Sequence, residues 1–263
     1  MILLHVCCAP DEVIALEHFS EREKEEVTAF FFNPNIFPYL EYVKRLNAFY
    51  KVSRSYSVSF VEGIYESSFG ARVLSRFAAE PEGGRRCYYC IKYRLAVTAK
   101  YAKNSGYEAF STTLLSSPKK NPELIHRAGY EVERASGIKY IPFDFRNGID
   151  HKKIREVLKD VYKQDYCGCV FGLREQVIKK LERDKKDQMQ LKECFPQYEH
   201  LWRFRGRKLD LTMLKIDGRE ELKRFLEILK PSSLVVGTEL MKDFGLTGKW
   251  LKCGKYNCKI ERR

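Results

Sequence analysis

This 263-residue sequence contains no run that approaches the roughly 20 consecutive apolar residues of a membrane-spanning helix. Its N-terminus lacks the basic region of a secretory signal peptide, and Asp11 and Glu12 interrupt its first apolar stretch. We therefore expect a cytoplasmic protein that does not associate with a membrane and whose thiols stay reduced.

Glycine-rich phosphate loops are also missing. The sequence has no Walker-type loop, no GxGxxG, and no serine- and glycine-rich loop after its first predicted strand. This disfavours P-loop NTPases, dinucleotide-binding enzymes and ATP pyrophosphatases. Where such enzymes bind phosphate, this chain has "HVCCAPD", which places Cys7, Cys8 and Asp11 directly after an apolar run.

Charge is unevenly balanced. The chain has 48 Lys and Arg against 35 Asp and Glu, a net charge of +13. From Lys192 onward there are 17 basic and 10 acidic residues, so the last quarter carries more than half of the surplus. Such an excess favours a polyanionic partner such as nucleic acid, although it also suits a surface that only keeps the protein in solution.

Short apolar runs alternate with helix-like segments along most of the chain. Strands are predicted at "ILLHVC", "VTAFFFNP", "YSVSFVEG", "AFSTTLL" and "IKYIPFDF". Helices are predicted at "DEVIALEHFSE", "YLEYVKRLNAFYKVSR", from about Cys87 to Gly106, and at "NPELIHRAGYEVERASG". Strands separated by helices form βαβ units. The predicted fold class is therefore α/β, a Rossmann-like, mostly parallel sheet with flanking helices, in which ligands bind at the carboxyl ends of the strands.

The polar stretch "LERDKKDQMQLKEC" marks a predicted domain boundary. We expect a catalytic domain at residues 1–190 and a small, basic α+β appendage at residues 191–263. In the appendage, "YEHLWRFRGRK" alternates basic and aromatic residues. Trp202 and Phe204 either stack on unpaired bases of a bound RNA or pack into a small core.

Six of the nine cysteines occur in close pairs, namely Cys7–Cys8, Cys87–Cys90 and Cys167–Cys169. Cys87 and Cys90 share one helix face near the helix N-terminus, where the dipole favours thiolates. Gly168 lets the chain bend between Cys167 and Cys169.

Three kinds of site explain these pairs: an iron–sulfur cluster, a zinc site, or cysteines that are buried or exchange disulfides. Six thiols exceed the needs of one tetrahedral zinc ion, which favours a cluster with a second metal held by the remaining thiols and Asp11. The other cysteines, Cys194, Cys253 and Cys258, have no obvious partner pair, and we expect them to be structural. His5 is expected to be a neutral core imidazole.

Long motifs in this chain resemble the QueH family of epoxyqueuosine reductases. The matching stretches are "LLHVCCAP", "FFNPNIFPYLEYVKR", "EPEGGRRCYYCIKYRLAVTAKYA", "FSTTLLSSPKKN", "IPFDFR" and "YCGCVFGLRE", which cover roughly residues 1–175. Many members of the family have a cysteine where this chain has Asp11. A carboxylate is nevertheless a competent iron ligand.

The resemblance implies a fold like that of adenine nucleotide alpha hydrolases and a cobalamin-independent, iron–sulfur-dependent oxidoreductase. The implied reaction reduces epoxyqueuosine to queuosine at the wobble position of tRNA, with the anticodon loop bound and electrons taken from an unidentified donor. The implied cofactors are a [4Fe–4S] cluster and an adjacent iron ion. The implied metal ligands are Cys7, Cys8, Asp11, Cys87, Cys90, Cys167 and Cys169, of which Cys7, Cys8 and Asp11 are also expected to be catalytic.

Substrate binding is expected at two sets of residues. Asn33, Asn35, Glu41 and Arg45 match a family motif, although Glu41 and Arg45 have the spacing of a helix-surface ion pair. Arg86, Lys119 and Lys120 are candidates for the anticodon phosphates, or are solvated basic side chains. Tyr88 or Tyr89 is a candidate proton donor, or a core residue of its helix.

Two other functions compete with this interpretation. A cluster-dependent tRNA thiolation enzyme on a related fold needs an ATP-binding loop after the first strand, and the sequence lacks one. A zinc-stabilised, non-enzymatic RNA-binding module would contain zinc and no acid-labile sulfide.

Overall fold

The computed structural model describes residues 1–66 and 68–263 of the chain. These residues form two compact units, Met1–Gln176 and Val177–Arg263. The division lies on the N-terminal side of the boundary predicted near residue 190. Both positions fall within one helix, Val170–Cys194.

The first unit is built on a parallel sheet. Its strands are β1 (Ile2–Val6), β2 (Val27–Phe31), β3 (Ser59–Glu62), β4 (Ala109–Thr112) and β5 (Lys139–Tyr140). Its helices are α1 (Ala9–Glu17), α2 (Glu21–Glu25), α3 (Tyr39–Ser55), α4 (Arg85–Asn104), α5 (Pro122–Ser136) and α6 (His151–Val157), with short π- and 3₁₀-helical turns at Gly70–Leu74, Ser75–Phe77 and Thr113–Ser116. The strand order is β3-β2-β1-β4-β5, and every neighbouring pair is parallel. The predicted α/β class is confirmed.

The central strands are apolar along nearly their whole length because helices cover both faces of a parallel sheet. All of β2 is buried, as is β1 from Leu3 to Val6. The chain builds outward from β1 through β2 to β3, and then returns to place β4 on the other side of β1. The strand order therefore reverses at β1, which is where ligands bind in open α/β sheets.

The second unit is smaller and mixes helices with a four-stranded sheet. Helix α7 (Val170–Cys194) enters it, followed by β6 (Lys208–Asp210), α8 (Arg219–Leu229), β7 (Ser233–Val236), α9 (Thr238–Asp243), β8 (Trp250–Cys253) and β9 (Tyr256–Arg262), with 3₁₀-helical segments at Pro196–Phe204 and Leu211–Met213. The order is β6-β7-β9-β8, with only the β8–β9 pair antiparallel. The appendage contains both helices and strands, as predicted, but its sheet is mostly parallel with helices between the strands, whereas an α+β unit has an antiparallel sheet.

None of the helices in the described part of the chain is both long and apolar enough to cross a membrane.

Candidate metal centre

Three ligand atoms converge where β1 ends. Cys7 follows the last residue of the strand, Cys8 is the extended residue that precedes α1, and Asp11 lies in the first turn of that helix. One ligand atom from each lies within 4.8 Å of the others. The Cys7 thiol donates a hydrogen bond to the Asp11 carboxylate (3.0 Å), and the Cys7 and Cys8 sulfurs are 3.7 Å apart. Two sulfurs and a carboxylate thus form a compact three-ligand group, here called the strand-end group.

The other four paired cysteines share one cavity. Cys87 and Cys90 lie in the first two turns of α4, and Cys167 and Cys169 lie in the loop before α7. The cavity is lined by these four thiols and by Asn35, Leu74, Arg86, Ile91, Arg94 and Lys120. These four cysteines are called the cavity quartet below. The four thiols on the walls of this cavity are the donor set through which proteins bind a [4Fe–4S] cluster.

Burial makes three thiols of the quartet poor acids while no metal is bound. It raises the pKa of Cys90 to about 12 and also raises the pKa of Cys87 and Cys169. At the strand-end group burial raises the pKa of Cys8 and of Asp11. Metal binding must therefore displace protons from several of these groups.

Arg94 and Lys120 are two of the three cationic residues that line the cavity of the quartet, the third being Arg86. Arg94 is 4% exposed, and its Nη1 donates to Asn33 Oδ1 (3.2 Å), while its Nε has no hydrogen-bond partner. Burial alone would lower the pKa of Arg94, but electrostatic interactions with Cys90 and Cys167 outweigh it and raise the pKa. The Lys120 ammonium lies 2.8 Å from Glu82 and 3.1 Å from the Cys167 sulfur. Both cations therefore favour a negatively charged sulfur site.

The spacing of Arg94 relative to the cysteines carries a signal that our sequence prediction missed. Cys87, Cys90 and Arg94 occur at i, i+3 and i+7, so all three lie on one face of α4. Asn33, to which Arg94 donates, also donates to the backbone oxygen of Val6 (2.8 Å), the residue before Cys7. A chain of hydrogen bonds thus connects the helix of the quartet with the strand of the strand-end group.

Arg45 fixes the loop that carries Cys167. Its guanidinium pairs with Glu41 (2.7 Å) and donates to the backbone oxygens of Tyr166 and Cys167. Glu41 also accepts a hydrogen bond from Tyr162 (2.6 Å). The Arg45–Glu41 pair is buried, so the alternative of a plain helix-surface ion pair is wrong.

Gly168, between the two cysteines of this loop, has φ +117°. A Cβ there would lie 3.0 Å from Arg45 Nη1 and 3.1 Å from Ile36. Both the backbone conformation and the close approach of Arg45 therefore require glycine.

The remaining predicted substrate-binding residues occupy different surroundings. Arg86 is 1% exposed, pairs with Glu175, and donates to the backbone oxygens of Ala78 and Glu80. Lys119 is exposed. Asn35 is buried in the wall of the cavity, and its Oδ1 lacks a partner. Because Arg86 is committed to protein groups, its placement suits a structural role better than contact with an anticodon phosphate.

Neither candidate proton donor is among the residues that line the cavity. Tyr88 donates to Glu131, and an arginine guanidinium lies over its ring. Tyr89 is exposed, and its ring stacks on that of Phe77 with the ring centroids 4.9 Å apart. His5 is fully buried and bonded to Thr112 and to the Phe32 backbone oxygen, as expected of a neutral core imidazole, and burial lowers its pKa to about 3.

The three unpaired cysteines belong to the second unit. Cys253 and Cys258 are fully buried in its hydrophobic core, and Cys194 packs against the same core. Arg224 donates to the Cys194 sulfur (3.2 Å). Their placement confirms the structural role predicted for Cys253 and Cys258.

Comparison with known proteins identifies the family. The profile of the family described as "Epoxyqueuosine reductase QueH" matches residues 2–175. The epoxyqueuosine reductase QueH of Thermotoga maritima is 37% identical over 190 residues, which cover 70% of this chain and 96% of the relative. The enzyme of the same name from Staphylococcus epidermidis is 35% identical over 196 residues, covering 70% of this chain and 81% of the relative.

A solved structure with a similar arrangement is the U34-tRNA thiolase NcsA from Methanococcus maripaludis with its [4Fe-4S] cluster. The two sequences are 12% identical, the alignment covers 76% of this chain and 67% of the thiolase chain, and the TM-score is 0.42. The extent of the profile match and the identity to curated relatives together establish that this chain belongs to the QueH family of epoxyqueuosine reductases.

Proposed function

We propose that this protein reduces epoxyqueuosine to queuosine at the wobble position of tRNA. The observation that carries the proposal is the pair of thiol groups in a chain of the QueH family: the strand-end group lies at the switch point of the parallel sheet, and the cavity quartet shares with it the nearby cations Lys120 and Arg94. Conversion of the epoxide to an alkene takes up two electrons and two protons and releases water. Since no ordinary side chain supplies electrons, the reaction needs the kind of redox group that a thiol-rich site binds.

The donor sets fit two different metal groups. The cavity quartet would hold a [4Fe–4S] cluster through Cys87, Cys90, Cys167 and Cys169, and the strand-end group would hold an adjacent iron ion. When bound, these groups would supply single electrons and a Lewis acid, neither of which the side chains provide. Arg94 and Lys120 offset the negative charge that the thiolates bring into a buried site.

Lys120 has a second role in this proposal. Burial alone would lower its pKa, but interactions with Cys167 and Glu82 outweigh it and raise the pKa, so the side chain stays an ammonium. A positive donor on the cavity wall stabilises the negative charge that develops on the epoxide oxygen as its C–O bond breaks. We therefore assign Lys120 to the reacting oxygen rather than to an anticodon phosphate.

The remaining predicted residues divide between support and RNA contact. Arg45 with Glu41 holds the Cys167 loop, Asn33 anchors Arg94, and Arg86 ties α4 to α7 through Glu175. Lys119 is exposed and remains the candidate for a tRNA phosphate. An external donor must supply the electrons.

The deciding experiment incubates protein purified without oxygen, a chemical reductant and tRNA that carries epoxyqueuosine. The tRNA is then digested and its nucleosides are weighed. The proposal predicts a product lighter by one oxygen atom, formed by wild-type protein and by Cys194→Ser, but not by Cys87→Ser or by reductant alone. If wild-type protein loaded with iron and sulfide yields no such product, the proposed reaction is wrong.

Metal analysis separates the two other functions. The proposal expects a brown protein with acid-labile sulfide and more iron than one four-iron cluster contains. A colourless protein that contains zinc and no sulfide would support the RNA-binding module instead. ATP-dependent incorporation of sulfur into tRNA would support thiolation.

A further inference from the structure

The sheet of the second unit has one apolar and one polar face. Along β8 and β9, Leu251, Cys253, Cys258 and Ile260 are buried in the core with α8. The alternate positions Trp250, Lys252, Asn257 and Lys259 are exposed. Because side chains alternate along a strand, these four residues share the opposite, open face.

Trp250 is the large apolar residue on this open face. It is 63% exposed, and its cross-strand neighbour in the β8–β9 register is Lys259. Lys252 follows two positions along the same strand and therefore faces the same side, opposite Asn257. The indole is thus flanked by a lysine across the sheet and by another along the strand.

The hairpin that carries Trp250 is strongly basic. Residues 249–263 contain six basic residues and a single acidic one, Glu261. Hydrogen bonds from Lys208 and Lys259 lower the pKa of Glu261 to about 2. Glu261 is thus shared between Lys208 and Lys259, the Lys259 side chain is still 51% exposed, and the other basic side chains of the segment are exposed.

The tryptophan singled out from the sequence lies in a different setting. Trp202 packs against the core of the second unit, and the Arg205 guanidinium lies 4.6 Å from its ring centroid. One face of that ring is therefore already occupied by a protein cation. Of the two tryptophans in the chain, Trp250 is the one whose ring is available to a ligand.

We propose that the open face of β8 and β9 binds a single-stranded segment of the tRNA, with a base stacked on Trp250 and its flanking phosphates at Lys252 and Lys259. Aromatic stacking combined with lysine–phosphate contacts is the usual chemistry of single-strand recognition. The family profile ends at residue 175, so this surface is an addition to the catalytic unit that the family shares. The identity of the RNA rests on the proposed function, whereas the binding surface itself does not require the reductase reaction.

The test measures the affinity of the full-length protein for unmodified tRNA by fluorescence anisotropy. Trp250→Ala should weaken binding about tenfold, as expected for loss of one stacked base, and Trp250→Phe should restore most of the affinity. In the double variant Lys252→Gln/Lys259→Gln, the slope of log affinity against log salt concentration should become less steep by about 1.4. Each of the two lost phosphate contacts contributes about 0.7 to that slope. Lys223→Gln, on α8 and so on the other side of the sheet, is the matched control and should leave both quantities unchanged.

Each outcome decides the inference. Unchanged tRNA affinity in Trp250→Ala, with circular dichroism like that of the wild type, would overturn it. A change in self-association instead of RNA binding would assign the surface to a protein contact and would also overturn it. If Trp250→Ala does not fold, Trp250→Phe and the double lysine variant decide. Weaker tRNA binding by the lysine variant, together with near wild-type binding by Trp250→Phe, supports the inference. Wild-type binding by the lysine variant overturns it. Trp250-dependent binding without reductase activity would overturn only the proposed reaction.

Discussion

Cys7, directly after β1, and Asp11, in the first turn of α1, are joined by a hydrogen bond of 3.0 Å, which the Cys7 thiol donates to the Asp11 carboxylate. Cys8 completes a group whose ligand atoms lie within 4.8 Å of one another. This spacing suits a single metal ion, whereas the cavity quartet supplies the four thiols that a cluster requires. The two sets of ligands should therefore respond differently to substitution.

We expect Asp11→Ala to keep most of the cluster colour and to lower the rate of epoxide reduction by at least about 100-fold. The reason is that a Lewis acid contributes several kcal/mol to stabilising charge in a transition state. Asp11→Cys supplies another iron ligand and should retain part of the activity. Iron content and nucleoside masses measure the two effects. Full activity in Asp11→Ala would show that the carboxylate binds no essential iron.

Substitutions in the quartet should act on the cluster itself. Cys87→Ser and Cys167→Ser should each lose most of the visible absorption and acid-labile sulfide, because each removes a thiolate from the cavity wall. Cys194→Ser is the matched control, since Cys194 packs in the second unit. Spectra like that of the wild type for both quartet variants would exclude the cavity as the site of the cluster.

Arg94→Gln should lower the reduction potential of the bound cluster. A buried guanidinium stabilises the more negative, reduced form, and a tenfold change in the one-electron equilibrium corresponds to about 59 mV. Arg94→Lys keeps the charge and should remain close to the wild type. A redox titration followed by electron paramagnetic resonance measures the potential. Equal potentials in the wild type and Arg94→Gln would contradict this role.

Gly168→Ala should reduce cluster loading. Its φ of +117° strains any residue with a Cβ, and the added methyl group would press on Arg45, which holds the Cys167 loop. Gly172→Ala provides the comparison, because its Cβ would meet the nearest atom, Cys169 Sγ, at an ordinary 3.5 Å. Sulfide content after identical reconstitution should fall in the first variant alone; equal loading would show that the loop tolerates the methyl group.

The stability of the second unit should depend on pH through Asp187. Burial would raise its pKa, but hydrogen bonds from Lys230 and Arg205 outweigh it and lower the pKa. A lowered pKa in the folded state stabilises the fold above the ordinary pKa of about 3.9, and the effect is lost as pH falls through the folded-state value.

Asp187→Asn should therefore lower the melting temperature at pH 7, with a loss of about 1 kcal/mol, and the difference should shrink below about pH 4. Glu199→Gln, which disrupts only an exposed and longer pair, serves as control. A melting difference that stays constant from pH 7 to pH 3 would rule out the ion pairs as its source.

The sequence predicted those features that depend on local pattern. Apolar runs of strand length and helical spacing located the five strands and helices α1, α3, α4 and α5 of the first unit, whereas the short helices α2 and α6 were not predicted. Gly106 marked the end of α4, where it adopts a left-handed conformation. The position of Cys7 after β1 then placed thiols at the carboxyl end of the sheet.

Other features depend on which distant residues meet, and no local pattern contains that information. Arg45 and Glu41 have the spacing of a surface pair, but the Cys167 loop covers them. Trp202 and Trp250 both lie among basic residues, yet only packing distinguishes the one against the core from the exposed one. The role of Arg94 could have been found from its i+4 spacing to Cys90.

The proposed metal ligands come from segments near the beginning, the middle and the end of the first unit's sequence. No part of the chain that ends before Cys167 contains all four thiols of the quartet. During synthesis on the ribosome, a complete set of ligands therefore exists only after nearly the whole of this unit has emerged and its sheet has formed. Insertion of the cluster would thus follow folding of the unit. The metal would then stabilise a fold that already exists rather than initiate folding.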